Sequence, residues 1–275
     1  MAMEITFLGT NTLLFRKNSS TLLVDPHFTR PGLLQLMGKI HPDRKKIAEG
    51  LAQLGIERLD GVLLTHTHYD HALDAAEVIS QAGGVLYGSG SALNLLKGAG
   101  LGTDCGVEVV PGQRYAIGAF RVCFHPACHL PFPVPVSWLV NMDGNIAMPI
   151  HPPAWFWRYR RGQVYAIQVD RTLIFGSAGF TEGAYRDLAI DTTILGVGGM
   201  DIQPDAYLGR FYEQAVLLPG AKRVFITHWD NFFGPFARHS QPLLFAHRGL
   251  SRVSALGTRY GQDIHQLDYG TPIRL

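Results

Sequence analysis

From Gly61 to His71 the chain reads GVLLTHTHYDH, an apolar run suited to a buried strand leading straight into three histidines and an aspartate. A strand turns residues two apart to the same side, so His66 and His68 face one centre. Asp70 and His71 follow at the turn into an expected helix, ALDAAEVISQ, and reach a point beside it. Neutral imidazole nitrogens and a carboxylate oxygen are donors of the kind that zinc takes. With 12 histidines in 275 residues, an H-x-H-x-D-H arises by chance in about one such chain in a thousand. The competing reading is a polar loop with stray histidines.

The motif resembles the signature of the metallo-β-lactamase superfamily. That resemblance implies an α/β fold of the αββα type: two mostly antiparallel or mixed sheets, helices on both outer faces, and one or two metals at one edge between the sheets. The length supports one domain over residues 1–275, because 275 residues at 47% hydrophobic lie near the upper size for a single core.

Three further stretches resemble the superfamily's pattern. FHPACHLP is similar to its third motif, and phospholipase-like members carry a comparable Pro-Ala-x-His; on that match His129 is a ligand, with His125 its competitor and Cys128 either a soft ligand or a small buried apolar residue. The strand ending Thr227-His228-Trp229-Asp230 resembles the last ligand motif, which assigns His228 and leaves Asp230 either orienting it or structural. Many members carry Gly-Asp-Thr where this chain has Gly176-Ser177-Ala178, so Ser177 stands in place of a bridging aspartate. The resemblance thus implies His66, His68 and His129 for one metal and Asp70, His71 and His228 for another, with Asp70 also assigned a catalytic part. Asp25, at the end of STLLVDP, is either a carboxylate that holds a ligand histidine or an ordinary Asp-Pro turn.

In order, residues 3–25 read as three short strands, and HPDRKKIAEGLAQLG as a helix starting at Pro42-Asp43. VLYGSG reads as a strand and SALNLLKGAG as a short helix. VEVVPGQRYAIGAFRVCFHPA reads as two or three antiparallel strands, and QVYAIQVDRTLIF as a hairpin turning at Asp170-Arg171. EGAYRDLAIDTTILGVGGM is a helix-like stretch and then a strand ending in glycines near the site. PDAYLGRFYEQAVLLPG is a helix, and QLDYGTPIRL holds a closing edge strand. The segment from Pro131 to Trp157 is rich in proline and aromatics, including Phe132, Pro133, Pro135, Trp138, Trp155, Phe156 and Trp157, and is expected to border an apolar substrate wall. His27 and His41 read as surface residues, His27 with the option of lining the site mouth. His151, His239, His247 and His265 match nothing.

A formal charge of +2 makes no electrostatic case for nucleic acid or a membrane. The cluster Arg158, Arg160 and Arg161 reads as a solvated turn. No apolar run reaches membrane-spanning length, and MAMEITFLGTN lacks a basic region followed by an apolar one. Three cysteines without CxxC spacing argue against a disulfide framework. The expectation is a cytoplasmic protein with reduced thiols, no nucleic-acid partner and no membrane insertion; the oligomeric state is not legible.

Three imidazoles and a water form the open arrangement of a catalytic zinc, with hydroxide generated near neutral pH. No nucleophile elbow G-x-S-x-G is present. The expected function is hydrolysis of a small ester, lactone or phosphodiester by Zn2+, with Mn2+ or Fe2+ as other candidates and a weaker second metal. The alternatives are an iron-dependent oxidoreductase and a metal-binding protein without catalysis.

Overall fold

A computed structural model describes residues 3–132, 141–234, 242 and 247–275. Two seven-stranded sheets dominate it. In the first, β1 (Glu4–Phe7), β2 (Leu13–Lys17) and β3 (Ser20–Val24) form an antiparallel meander. β4 (Lys39–Ile40) lies apart, and β5 (Gly61–Leu63), β6 (Val85–Gly88) and β7 (Gly106–Glu108) then extend the sheet in parallel from β3. In the second, β8 (Arg114–Ile117) and β9 (Phe120–Ala127) pair antiparallel. β10 (Ala154–Trp155) instead pairs with β4, outside both sheets. The hairpin β11 (Val164–Val169) and β12 (Thr172–Phe175) continues the second sheet, and β13 (Thr192–Gly196), β14 (Arg223–Thr227) and β15 (Asp263–Gln266) add in parallel. β16 (Pro272–Arg274) returns to the free edge of β1.

Strand residues alternate between two apolar environments, which explains why these strands read as continuous apolar runs rather than apolar–polar alternation. Leu13 and Phe15 of β2, Leu22 and Val24 of β3, and Leu63 of β5 enter the core between the sheets, beside Phe124, Ile167, Phe175 and Ile194. Leu14, Leu23 and Val62 point the other way, onto helices. Those helices are α2 (Arg44–Gln53), α4 (Ala75–Ala82) and α5 (Gly90–Gly98), which contribute Ile47, Leu51, Val78, Ile79, Leu95 and Leu96. Each fully buried side chain of this size contributes roughly 1.5–3 kcal/mol. α2 starts where its sequence signals it, with Asp43 Oδ1 accepting from the Lys46 N–H at 3.2 Å. Among the described residues the remaining α-helices are α1 (Leu33–Leu36), α3 (Tyr69–Ala72), α6 (Asp205–Tyr212), which runs on as a π-helical turn over Glu213–Leu217, and α7 (His247–Tyr260).

Two expectations are corrected. β7 and β8 do not share a sheet: β7 pairs parallel with β6, and the turn at Pro111-Gly112 carries the chain across to the other sheet. Local periodicity marks a strand but does not encode its partner. The stretch Glu182–Ile190 forms turns, not a helix, because Asp187 and Ala189 sit at φ of 63° and 51°, in the left-handed region that ends a right-handed helix. Among the described residues, no helix is long and apolar enough to cross a membrane.

Candidate metal centre

The site lies where strand ends from both sheets meet. β3 ends one residue before Asp25, β5 leads through Thr65 to His66, β9 ends two residues before His129, and β14 ends one residue before His228. α3 begins directly after His68 and carries Asp70 and His71 in its single turn. In open sheets with parallel strands the carboxyl ends converge on a crevice of this kind.

Two groups of donors result. His66, His68 and His129 each offer one ligand atom, all within 4.8 Å of one another, and Asp70, His71 and His228 do the same. Within the first group His66 Nε2 and His68 Nδ1 are 3.2 Å apart. In the second, Asp70 Oδ2 is 3.5 Å from His71 Nε2 and 3.3 Å from His228 Nε2. Bonds of about 2.0–2.2 Å in a tetrahedron would set donors about 3.3–3.6 Å apart, so these spacings suit a shared divalent cation. The two groups adjoin, with the rings of His66 and His71 centred 4.0 Å apart.

The outward nitrogens of four of the five histidines are held by the chain, whereas His228 Nδ1 has no hydrogen-bond partner among the described residues. Asp25 Oδ2 sits 2.8 Å from His71 Nδ1, and Thr65 Oγ1 sits 3.0 Å from His66 Nδ1 while donating to Asp25. The Asn141 carbonyl accepts from His68 Nε2 at 2.8 Å, and the Leu130 carbonyl from His129 Nδ1 at 3.0 Å. These contacts assign the tautomers and leave one lone pair per ring facing the group. Asp25 is itself fixed by the Thr65 N–H and the Asn11 amide, each at 2.8 Å. It adopts φ 43° and His228 φ 57°. Such backbone costs about 1–3 kcal/mol per residue and collects at functional sites.

Charge follows the geometry. Burial, and then the neighbouring imidazoles, lower His66 well below its ordinary value. Burial lowers His129 in the same way and brings His68 down to about 4. All three are therefore neutral, the form in which imidazole donates to a metal. Burial opposes ionisation of Asp70, yet His71 and His228 hold its carboxyl far below the usual range. Burial also opposes charging of His71, but Asp70 and Asp25 together raise it.

The structure separates the alternatives left by the sequence. His125 is buried away from both groups and meets Gln168 Oε1 at 3.0 Å. Cys128 is exposed rather than buried and belongs to neither group; it stands in the turn after β9, where Gly179 packs against its carbonyl. Asp230 does not touch the His228 ring. It binds the Thr10 N–H at 2.6 Å and Arg30 at 2.5 Å, and the Thr10 carbonyl then accepts the His228 N–H. The Ser177 hydroxyl accepts the Leu130 N–H at 2.9 Å, next to His129. Gly198 fits the expectation of close approach, since a Cβ there would lie 2.7 Å from His228 Nδ1.

His27 is not at the surface. It is 1% exposed, neither ring nitrogen has a hydrogen-bond partner among the described residues, and its ring lies 6.2 Å from that of Tyr69. Burial, then Arg30, lower its pKa, and the charges of Asp70, His71 and His228 act on it as well. The Asp25-Pro26-His27 run was the signal for it, since Asp25 is pinned at the centre. Of the aromatic segment, Pro133, Pro135 and Trp138 lie outside the described residues, as does His239 farther along the chain. Phe132 lies 6.2 Å from His129, and Phe156 meets Tyr69 edge-on at 5.9 Å. His151 is exposed beside the Gly98 carbonyl, and His265 pairs with Asp263 at 2.7 Å.

The family model of the metallo-β-lactamase superfamily matches residues 5–141. Among curated proteins, no sequence matches the chain. Several solved structures share its fold. Igni18, a metallo hydrolase from Ignicoccus hospitalis KIN4/I, is 14% identical with a TM-score of 0.60, over 100% of this chain and 99% of that one. An isothiocyanate hydrolase from Delia radicum gut bacteria is 14% identical with a TM-score of 0.57, over 98% of each chain. CmlA, a diiron β-hydroxylase from Streptomyces venezuelae, is 16% identical with a TM-score of 0.57, over 100% of this chain but 53% of its own. The matched segment holds the whole His66-to-His71 motif, and the partner strands bring His129 and His228 to it: the chain belongs to the metallo-β-lactamase superfamily.

Proposed function

We propose that this chain is a zinc-dependent hydrolase of a small ester, lactone or phosphodiester. The observation that carries the reading is the pair of adjoining three-donor groups, the first of three neutral imidazoles and the second holding the ionised Asp70 carboxylate. His66, His68 and His129 would hold the tighter ion and Asp70, His71 and His228 the weaker one. A bound divalent cation supplies Lewis acidity towards a carbonyl or phosphoryl oxygen and acidifies a coordinated water.

The chain's own residues do the rest. Asp25 and Thr65 keep His71 and His66 in one tautomer. Asp70 stays ionised, and its Oδ1, without a protein donor among the described residues, can accept a hydrogen bond from an attacking water. Phe132 and Phe156 present apolar faces next to His129 and Tyr69, which suits a substrate with an apolar portion. Ser177 occupies the place of the bridging aspartate, so the second ion lacks one anionic donor. The hydrolase neighbours are consistent with this class.

The diiron likeness keeps an oxidative reading in play, because imidazole and carboxylate also suit iron. Purified protein with its metals measured, then assayed on aryl esters, lactones and bis-aryl phosphodiesters with and without chelator, distinguishes the two. Zinc content with chelator-sensitive turnover supports hydrolysis; iron content without turnover of any of these sinks it.

A further inference from the structure

The short helix α1 is rich in leucine, yet none of its residues is buried. Leu33 is 64% exposed, Leu34 79% and, just after the helix, Met37 72%. Only Leu36 packs against the core. Folding therefore does not account for the other three, and large apolar side chains exposed together within five residues are the kind of feature that marks an interaction site. α1 leads through Gly38 into β4, whose Lys39 pairs with Trp155 of β10. Trp155 stacks on Trp157 at 4.5 Å, and Trp157 is 46% exposed.

Cations adjoin these side chains along the chain: Lys39 follows Met37 by two residues, and Arg158 and Arg160, the latter donating to the Asp143 carbonyl at 2.6 Å, follow Trp157. Lys39, Arg158 and Arg160 are exposed and have no carboxylate partner among the described residues. Nearby Arg44, Lys45 and Arg161 pair with Glu77, Glu49 and Asp143. The face is thus locally positive although the whole chain carries only +2. An exposed tryptophan beside aliphatic side chains and rimmed by lysine and arginine is the composition of a surface that sits at a lipid headgroup layer.

We propose that this face docks on an anionic lipid bilayer, with Leu34, Met37 and Trp157 entering the headgroup region and Lys39, Arg158 and Arg160 against lipid phosphates. A second copy of the chain fits less well, since a two-fold interface would set the same cations against each other. Docking here would bring the site close to the bilayer: Phe156, between the two tryptophans, lies against Tyr69, which separates His68 from Asp70. The inference does not depend on the hydrolase reading, because it concerns binding and not turnover.

Sedimentation of the full-length protein with phosphatidylglycerol vesicles and with phosphatidylcholine vesicles tests it. The expected result is binding to the anionic vesicles at least tenfold stronger than to the neutral ones, weakened by salt, with a blue shift of tryptophan emission. Leu34→Glu with Met37→Glu should abolish binding, and Lys39→Ala or Arg158→Ala should each weaken it about fivefold. Val110→Glu, at an exposed apolar residue on another part of the surface, should leave binding intact. Absence of binding to phosphatidylglycerol, equal binding to both lipids, or binding unchanged by the double variant would overturn the proposal. So would dimerisation in ultracentrifugation that the double variant abolishes, since a second copy would then be the occupant. All these substitutions sit on exposed side chains, so unchanged circular dichroism separates lost binding from lost folding.

Discussion

At the scale of single residues, His129 and His125 offer the sharpest contrast. They are four residues apart, yet one joins the first donor group and the other bonds Gln168. We expect His129→Ala to lose most bound metal and activity and His125→Ala to lose little, as metal analysis after dialysis would show. Equal losses would remove the assignment. Ser177 carries a second expectation. Without a carboxylate between the groups, cation repulsion is less offset, so calorimetry should show one tight metal and one weak. Ser177→Asp should tighten the second, and two equally tight sites in the wild type would count against the serine's place. His27 gives a third. It buries two ring nitrogens without a protein partner, so His27→Phe should keep the metal and raise stability by about 1 kcal/mol, measured by denaturant titration. Loss of metal from that variant would show that the imidazole serves the second group. The motif histidines were legible because their H-x-H-x-D-H spacing resembles a known signature, although β5 ends at Leu63 and His66 and His68 lie in the loop between it and α3 rather than on the strand. His27 was not, because its burial depends on α2, whose Gly50 packs against neighbouring Phe28.

At the scale of elements, the aromatic segment is the part whose role is least decided by local sequence. Trp155→Ala and Trp157→Ala should raise KM or lower kcat/KM on the best substrate with metal content unchanged. Wild-type kinetics in both would take that segment out of the substrate wall. The link between the loop after β3 and α4 is a different kind of joint. Asp74 accepts the Thr29 N–H at 2.7 Å and the Thr29 hydroxyl as well, but burial still pushes its carboxyl up to about 6. The helix start and the strand ends could be read from Asp43, Gly55 and the alternation of turns. The crossing of β7 and β8 to different sheets could not, since both are short and each finds its partner only in three dimensions.

For the whole molecule, the buried histidines dominate the pH response of the metal-free protein. His27, His66, His68 and His129 are lowered by burial, His68 from 6.5 to about 4. Each takes up a proton more readily in the unfolded chain, so its contribution is complete above about pH 6.5 and is lost as pH falls towards the folded value. For His68 alone that amounts to roughly 3 kcal/mol. His71 and Asp74 are raised and act in the opposite sense; the contribution of Asp74 is largest below about pH 4 and is lost as pH rises through about 6. Four groups outweigh two, so chelator-treated protein should lose stability steadily from pH 7 to 4.5 in denaturant titrations. Stability that holds or rises towards acid would contradict the buried, neutral state of these rings. A single unfolding transition in the same titrations would support one domain, as expected from a core shared by strands of both sheets.

The amino-acid sequence alone determined the superfamily pattern with its H-x-H-x-D-H spacing, the start of α2 and the β11–β12 hairpin. All of these depend on local spacing, and local spacing is written in the chain. Only the tertiary structure decided which of His125 and His129 joins the centre, that Asp230 acts through Thr10 and Arg30 rather than on His228, and that α1 shows its leucines to the outside. Those outcomes depend on which surfaces meet across the two sheets, and distance along the chain carries no record of that.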